Sequence, residues 1–536
     1  MADGPHFLGI DVGTGSARAG LFDERGECLG TGKQDISLFR DGGAMVEQSS
    51  GEIWAAVCTA VRQALAAADV AGDSVAGIGF DATCSLVVLG PDGASLPVGP
   101  SEDPARDIIV WMDHRAVAEA ERINALAPAV LRYVGGRISP EMQTPKLLWL
   151  KENRPEIFTA AGHFLDLADF LTFRATGDLA RSMCTVTCKW TYVAHEARWD
   201  PDYFRAVGLG ELADEDFARI GTTIVQPGTP VGAGLTVRAA AELGLSPGTP
   251  VSAGMIDAHA GGIGTVGIGG VPEQNLAYVF GTSSCTLLST AEPVFVPGVW
   301  GPYYSVMVPG LWINEGGQSA AGAAIDQLVR LHPAYPEAMQ QARESGTSLP
   351  VLLAEQAAAR FDDPSAAVAA LKGLHVVPEF LGNRAPFADP HARAVVAGLG
   401  METDADHLVL LYVAGLFGIG YGLRQILEAQ ADAGAPTERI VISGGAGQSA
   451  FVRQLLADAA GKPVVAPLTT EPVLLGAATL GATAAGAFPG LREAMSALSG
   501  AGAVYEPAAG AIRAQHDRRF ATFCALQDLV RGARSH

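Results

Sequence analysis

Apolar and polar positions along this chain keep switching between two periods. Phe7 to Ile10 is an apolar run, Asp11 to Ser16 is small and polar, and Ala17 to Phe22 is apolar again. That pattern predicts two strands joined by a tight turn. From Ser50 to Ala68 the spacing changes, with Ile53, Trp54, Val57, Ala60, Val61 and Leu65 recurring at helical intervals. Strands are expected at 75–80 and 86–89, and another at 108–115 that delivers Trp111, Asp113 and Arg115 to its end. A helix is expected over 116–126, and a second one follows with Pro145 in its first turn. Residues 277–289 repeat the opening plan of apolar strand, Gly-Thr-Ser turn and apolar strand. Further on, a strand delivers Glu315 and a Gly/Ala-rich helix begins. A helix over 405–430 leads to a β-branched strand from Arg439, a glycine turn at Gly444-Gly445 and an amphipathic helix over 451–459. A terminal helix is expected at about 513–531. Strands alternating with helices mark an α/β protein.

Length adds domain count. At 536 residues the chain is too long for one ordinary core. Six glycines between Gly261 and Gly270 mark the expected hinge, giving an N-terminal domain over 1–262 and a C-terminal domain over 263–536. With 49% hydrophobic and 17% charged residues, the chain reads as globular, not disordered. Its 36 basic and 57 acidic residues give a net charge of -21, which argues against nucleic-acid or membrane-surface binding. Leu408 to Leu423 is an uncharged run of 16 residues, shorter than the ~20 a membrane span needs; it is expected to be a core helix. The seven cysteines are scattered, with no Cys-x-x-Cys pair, and Cys184 and Cys188 read as small buried residues. No basic segment or cleavable apolar segment opens the chain, so a cytoplasmic location is expected.

The chemistry gathers at the turns. Gly13 and Gly15 let backbone approach a ligand closely, and Thr14 and Ser16 add hydroxyls, so the first turn is suited to phosphate. Asp11 would repel phosphate unless a divalent cation lay between them, and Arg18 could add positive charge. A Walker P-loop is absent, as is a Rossmann Gly-x-Gly-x-x-Gly at a first strand–helix turn. Two Gly-Thr hairpins and the Gly444-Gly445 turn are the alternative means of holding a nucleotide. Phosphoryl transfer also needs a base for the attacking hydroxyl. Asp257, just past a strand end and beside the glycine-rich stretch, is either that base or a helix N-cap. Lys189 and Glu315 suit a polyhydroxylated substrate or form a structural ion pair. His259 is read as a packing histidine outside the mechanism.

These motifs together resemble the FGGY family of carbohydrate kinases, in the superfamily of sugar kinases, Hsp70 and actin. The resemblance runs through Asp-Val-Gly-Thr-Gly-Ser-Ala-Arg (11–18), Phe-Asp-Ala-Thr-Cys-Ser (80–85), Trp-Met-Asp-His-Arg-Ala (111–116), Gly-Met-Ile-Asp-Ala-His (254–259), Gly-Thr-Ser-Ser (281–284), Asn-Glu-Gly-Gly-Gln-Ser (314–319), Gly-Asn-Arg-Ala-Pro (382–386) and Ser-Gly-Gly-Ala (443–446). It is strongest toward the ribulokinases. Trp-Gly-Pro-Tyr-Tyr (300–304) and Pro-Gly-Leu-Trp-Ile-Asn-Glu (309–315) look more like the D-ribulose than the L-ribulose enzymes. The resemblance implies two ribonuclease-H-like α/β domains flanking a catalytic cleft, with ATP and Mg²⁺ as cofactors and a small-molecule sugar as partner. It implies Asp257 as catalytic base and Asp11 as a water-mediated metal residue. Ala82, Lys189, Asp257 and Glu315 would line the sugar site. Thr14, Arg18, Gly281, Thr282, Gly322, Gly444, Gly445 and Ser449 would contact ATP. Asp326 departs from the glycerol-kinase pattern, where a Gln contacts the nucleotide. L-ribulose, xylulose and ribitol remain alternative substrates, and an ATP-switched binding protein of the Hsp70/actin type or a degenerate sugar sensor are readings of another class. A homodimer is compatible with the resemblance, and the oligomeric state stays open.

Overall fold

A computed structural model of the chain describes residues 4–40 and 42–534; the first three residues, on which part of the leader reading rests, lie outside the described residues. Two large sheets dominate. The first has five strands in the order Met255–Ile256, Val75–Ala82, His6–Val12, Ser16–Phe22, Cys28–Asp35. His6–Val12, Ser16–Phe22 and Cys28–Asp35 form an antiparallel meander, while Val75–Ala82 and Met255–Ile256 run parallel to His6–Val12. In the second sheet the central strands follow the same plan. Asn275–Phe280, Ser284–Thr290 and Trp312–Gln318 form the meander, and Arg439–Ser443 and Val464–Pro467 add in parallel. Trp300–Tyr304 and Ala501–Tyr505 extend its two edges in antiparallel fashion.

His6–Val12 is buried at all seven positions. A strand covered on both faces has no solvent side to mark with polar residues, so it reads as a continuous apolar run. The helix Ser50–Ala68 packs on the Cys28–Asp35 strand. Ser49 caps it by accepting a hydrogen bond from the Glu52 amide. The strand expected over 108–115 is shorter, Ile108–Ile109; the residues after it turn, with Arg115 clamped on Asp113 and Glu47.

The glycine-rich stretch is not a loop hinge. Its first half lies inside the helix Asp257–Val266, so the domain boundary expected at 262 falls within a helix. This helix follows the last strand of the first sheet but packs against Asn275–Phe280 and Arg439–Ser443 of the second. Reciprocally, Pro472–Ala484 follows the second sheet and packs against His6–Val12 and Val75–Ala82 of the first. The two helices cross with almost no separation. A Cβ on Gly264 would lie 1.9 Å from the Pro472 carbonyl oxygen, and one on Gly476 would lie 1.8 Å from that of Ala260. Glycine is therefore needed here for close approach between helices, a use that composition alone cannot separate from flexibility.

The helix expected over 405–430, which contains the uncharged run 408–423, is Ala405–Asp432. By length and composition it could cross a membrane, but 78% of its most apolar window is buried inside the protein. Burial rather than shortness identifies it as a core element.

Candidate active site

Adjacent parallel strands of the first sheet bring carboxylates together. In register, Asp11 stands opposite Asp81, Met255 opposite Asp81 and Ile256 opposite Ala82. Asp257 follows as the first residue of its helix, so Asp11, Asp81 and Asp257 all emerge at one end of the sheet. Asp81 is fully buried and neither of its carboxylate oxygens has a hydrogen-bond partner. Burial, and then the neighbouring Asp11, hold its carboxyl well above the usual range. Asp257 is pushed up to about 6, first by burial and then by Asp11, with the Ala258 amide and Lys189 opposing. Its Oδ1 accepts that amide at 2.7 Å. Ala82, fully buried, ends the strand between those of Asp11 and Met255.

The first hairpin closes through a 3.0 Å hydrogen bond from the Gly13 amide to the Ser16 carbonyl. The Trp111 indole donates to the Thr14 hydroxyl at 2.9 Å. Arg18 is already engaged. It donates to Asp11 Oδ2 from Nε at 2.9 Å and from Nη2 at 2.6 Å, and to Glu471 Oε2 from Nη1 at 2.8 Å. Any positive charge it offers a phosphate is thus shared with two carboxylates.

The strand Trp312–Gln318 of the second sheet carries Glu315, whose charge acts on Lys189 of the helix Met183–Trp190. Lys189 is 6% exposed. Burial disfavours its charge, yet Cys84 and Glu315 among its neighbours hold the ammonium well above its ordinary value. Its Nζ lies 5.2 Å from the centre of the Trp300 ring, and the Arg384 guanidinium lies 5.6 Å from the same ring. Glu315 is held down to about 2: burial opposes its charge, but His259 and Lys189 favour it. The His259 Nε2 lies 3.5 Å from Glu315 Oε2.

The second hairpin is tied to the helix Gly322–Arg330. The amides of Ala321 and Ala323 donate to the Thr282 carbonyl at 2.9 and 3.1 Å, and that of Gly322 to the Gly281 carbonyl at 2.9 Å. Strand pairing sets Val279 beside Ser443, so the Gly281 and Gly444 turns leave the sheet as neighbours. Gly444 has φ 91°, and a Cβ there would lie 2.5 Å from the Phe280 carbonyl oxygen. Beside these turns a cavity of about 490 Å³ is lined by Gly322, Asp326, Tyr412, Gly445, Gln448 and Ser449, among others. Ser449 caps the helix Ala450–Ala460. The residues singled out in the sequence thus fall into two groups. Asp11, Thr14, Arg18, Ala82, Lys189, Asp257 and Glu315 lie at the first sheet and the cleft facing it, and Gly281, Thr282, Gly322, Gly444, Gly445 and Ser449 lie around the cavity.

Four further residues lie beside these groups. Asp81 ends its strand exactly as Asp11 ends its own, a parallel visible in Phe80-Asp-Ala-Thr, but only strand register shows that the two meet. Trp300 and Arg384 are far apart in sequence, and no local pattern pairs them with Lys189. His259, set aside as a packing residue, touches Glu315.

The chain is similar to known proteins along most of its length. Residues 6–264 match the N-terminal domain, and 276–485 the C-terminal domain, of the FGGY family of carbohydrate kinases. The chain belongs to that family. An FGGY carbohydrate kinase domain-containing protein of Homo sapiens is 43% identical over 94% of this chain and 92% of its own length. A D-ribulokinase of Saccharomyces cerevisiae is 37% identical over 91% of this chain and 73% of its own. The crystal structure of a xylulose kinase from Rhodospirillum rubrum superposes with a TM-score of 0.80 at 22% identity, covering 99% of this chain and 100% of that one.

Proposed function

We propose that this carbohydrate kinase transfers the γ-phosphoryl group of ATP to the terminal hydroxyl of D-ribulose, giving D-ribulose 5-phosphate and ADP. The observation that carries the phosphoryl-transfer step is Asp257, a carboxylate raised to about 6 at a strand end and next to a lysine. A base with a pKa near the working pH accepts a proton efficiently. Asp257 takes the hydroxyl proton as the sugar oxygen attacks phosphorus and the bond to ADP breaks. Lys189 and Glu315, oppositely charged, donate to and accept from sugar hydroxyls, with Trp300 and Ala82 shaping the pocket. The choice of D-ribulose rests on the likeness to the yeast D-ribulokinase and on the 300–315 segment.

The nucleotide reading draws on the Gly281 and Gly444 turns and the cavity beside them, large enough for an adenosine. Thr14, Thr282 and the two hairpin backbones would meet the phosphates. Magnesium fits the oxygen donors at the strand ends, where both Asp81 oxygens are buried without a partner. Asp11 and Asp81 are the residues that would hold it, and when bound it neutralises charge on the phosphates. The two domains, about 1–262 and 263–536, would close over the sugar and exclude water.

A coupled assay of ADP release across D-ribulose, L-ribulose, D-xylulose and ribitol tests this reading. D-ribulose is expected to give the highest kcat/KM. A higher value for another sugar overturns the substrate assignment, and equal, low rates with all of them overturn the kinase reading in favour of an ATP-driven switch.

A further inference from the structure

Two cysteines and a histidine that phosphoryl transfer does not use converge in the core beside the sugar side of the cleft. Cys184 and Cys188 stand one turn apart on the helix Met183–Trp190, so their side chains share a face. His259 reaches them from the helix Asp257–Val266. All three are 0% exposed. Their sulfur and ring-nitrogen atoms lie within 4.8 Å of one another, and Cys184 Sγ is 3.0 Å from His259 Nδ1. On its other side the ring faces Glu315, with Nε2 3.5 Å from Oε2. A carboxylate behind Nε2 favours a proton there and turns the Nδ1 lone pair toward the two sulfurs, as in histidines oriented for metal by an outer carboxylate.

We propose that Cys184, Cys188 and His259 form a site for one thiophilic d¹⁰ metal ion, Zn²⁺ or Cu⁺, bound by two sulfurs and one nitrogen. Thiolate and imidazole are the donors such ions select, and none of the three is tied up in a disulfide. Coordination removes the thiol proton of Cys188 and the proton that Cys184 Sγ and His259 Nδ1 share across 3.0 Å, so an ion enters as protons leave. The ion would clamp the helix carrying Lys189 to the helix that starts at Asp257, with Glu315 held through His259. The site is independent of what the chain phosphorylates.

The test uses full-length protein produced in medium supplemented with zinc or with copper, desalted without chelator and analysed for metal per chain by mass spectrometry. One equivalent of either zinc or copper per chain is expected, and the loaded metal names the ion. Cys184→Ser and Cys188→Ser should each lower it toward zero. Protein substituted with Co²⁺ should show the near-ultraviolet absorption of a thiolate-to-metal transition, which needs no variant to fold. Neither metal retained, undiminished metal in folded serine variants, or a cobalt adduct without thiolate absorption would each overturn the site. Because no sugar or ATP is present, such a failure leaves the kinase reading intact.

Discussion

Asp257 works as a base only while ionised, and its surroundings set the pH at which that happens. Burial and Asp11 raise it to about 6, against the pull of the Ala258 amide and Lys189. The charged form predominates above that value, so kcat/KM for the sugar is expected to fall about tenfold per pH unit below it and to level off above it. A pH–rate profile flat between pH 5 and 7 would contradict this role. Lys189 and Glu315 move in opposite directions, the ammonium well above its usual range and the carboxylate down to about 2. Both stay charged across the Asp257 limb, so neither should add a second one. Asp257, Lys189 and Glu315 could be singled out in the sequence because each ends or follows a recognisable strand or apolar segment. Asp81 was not, because its effect depends on which strand lies beside it. The same holds for Arg384 and Trp300, brought to Lys189 by tertiary packing alone.

At the scale of elements, the helices Asp257–Val266 and Pro472–Ala484 each leave one sheet and pack on the other. The crossing works only while Gly264 and Gly476 lack side chains, since a Cβ on either would come within 2 Å of a carbonyl oxygen. Gly476→Val is therefore expected to destabilise the protein by at least ~1–3 kcal/mol, read as a lower midpoint in urea denaturation. An unchanged midpoint would show that the crossing tolerates bulk. Hydrophobic periodicity made most of the framework readable: the helix Ser50–Ala68 and both hairpins stand where their patterns put them. It failed at Gly261–Gly270, where glycine serves packing in a helix and only the partner helix, some two hundred residues later, shows it. It also overestimated the strand after Ile108, whose polar residues turn to feed the Arg115–Asp113–Glu47 cluster.

The whole molecule repeats one five-stranded plan twice, with the strand ends of the first copy bearing carboxylates and those of the second bearing glycine turns. Under the proposed function the base belongs to the first copy and most nucleotide contacts to the second, while Arg18 of the first and Glu315 of the second cross that division. The crossed helices join the two sheets, each packing on the sheet that the other follows. In the proposed reaction Asp257 removes the hydroxyl proton and does nothing for ATP binding. Asp257→Ala, shown to be folded by circular dichroism, should bind ATP with unchanged Kd by calorimetry and lose about 10²–10⁴-fold in kcat with D-ribulose. Near-normal kcat in that variant would contradict the claim.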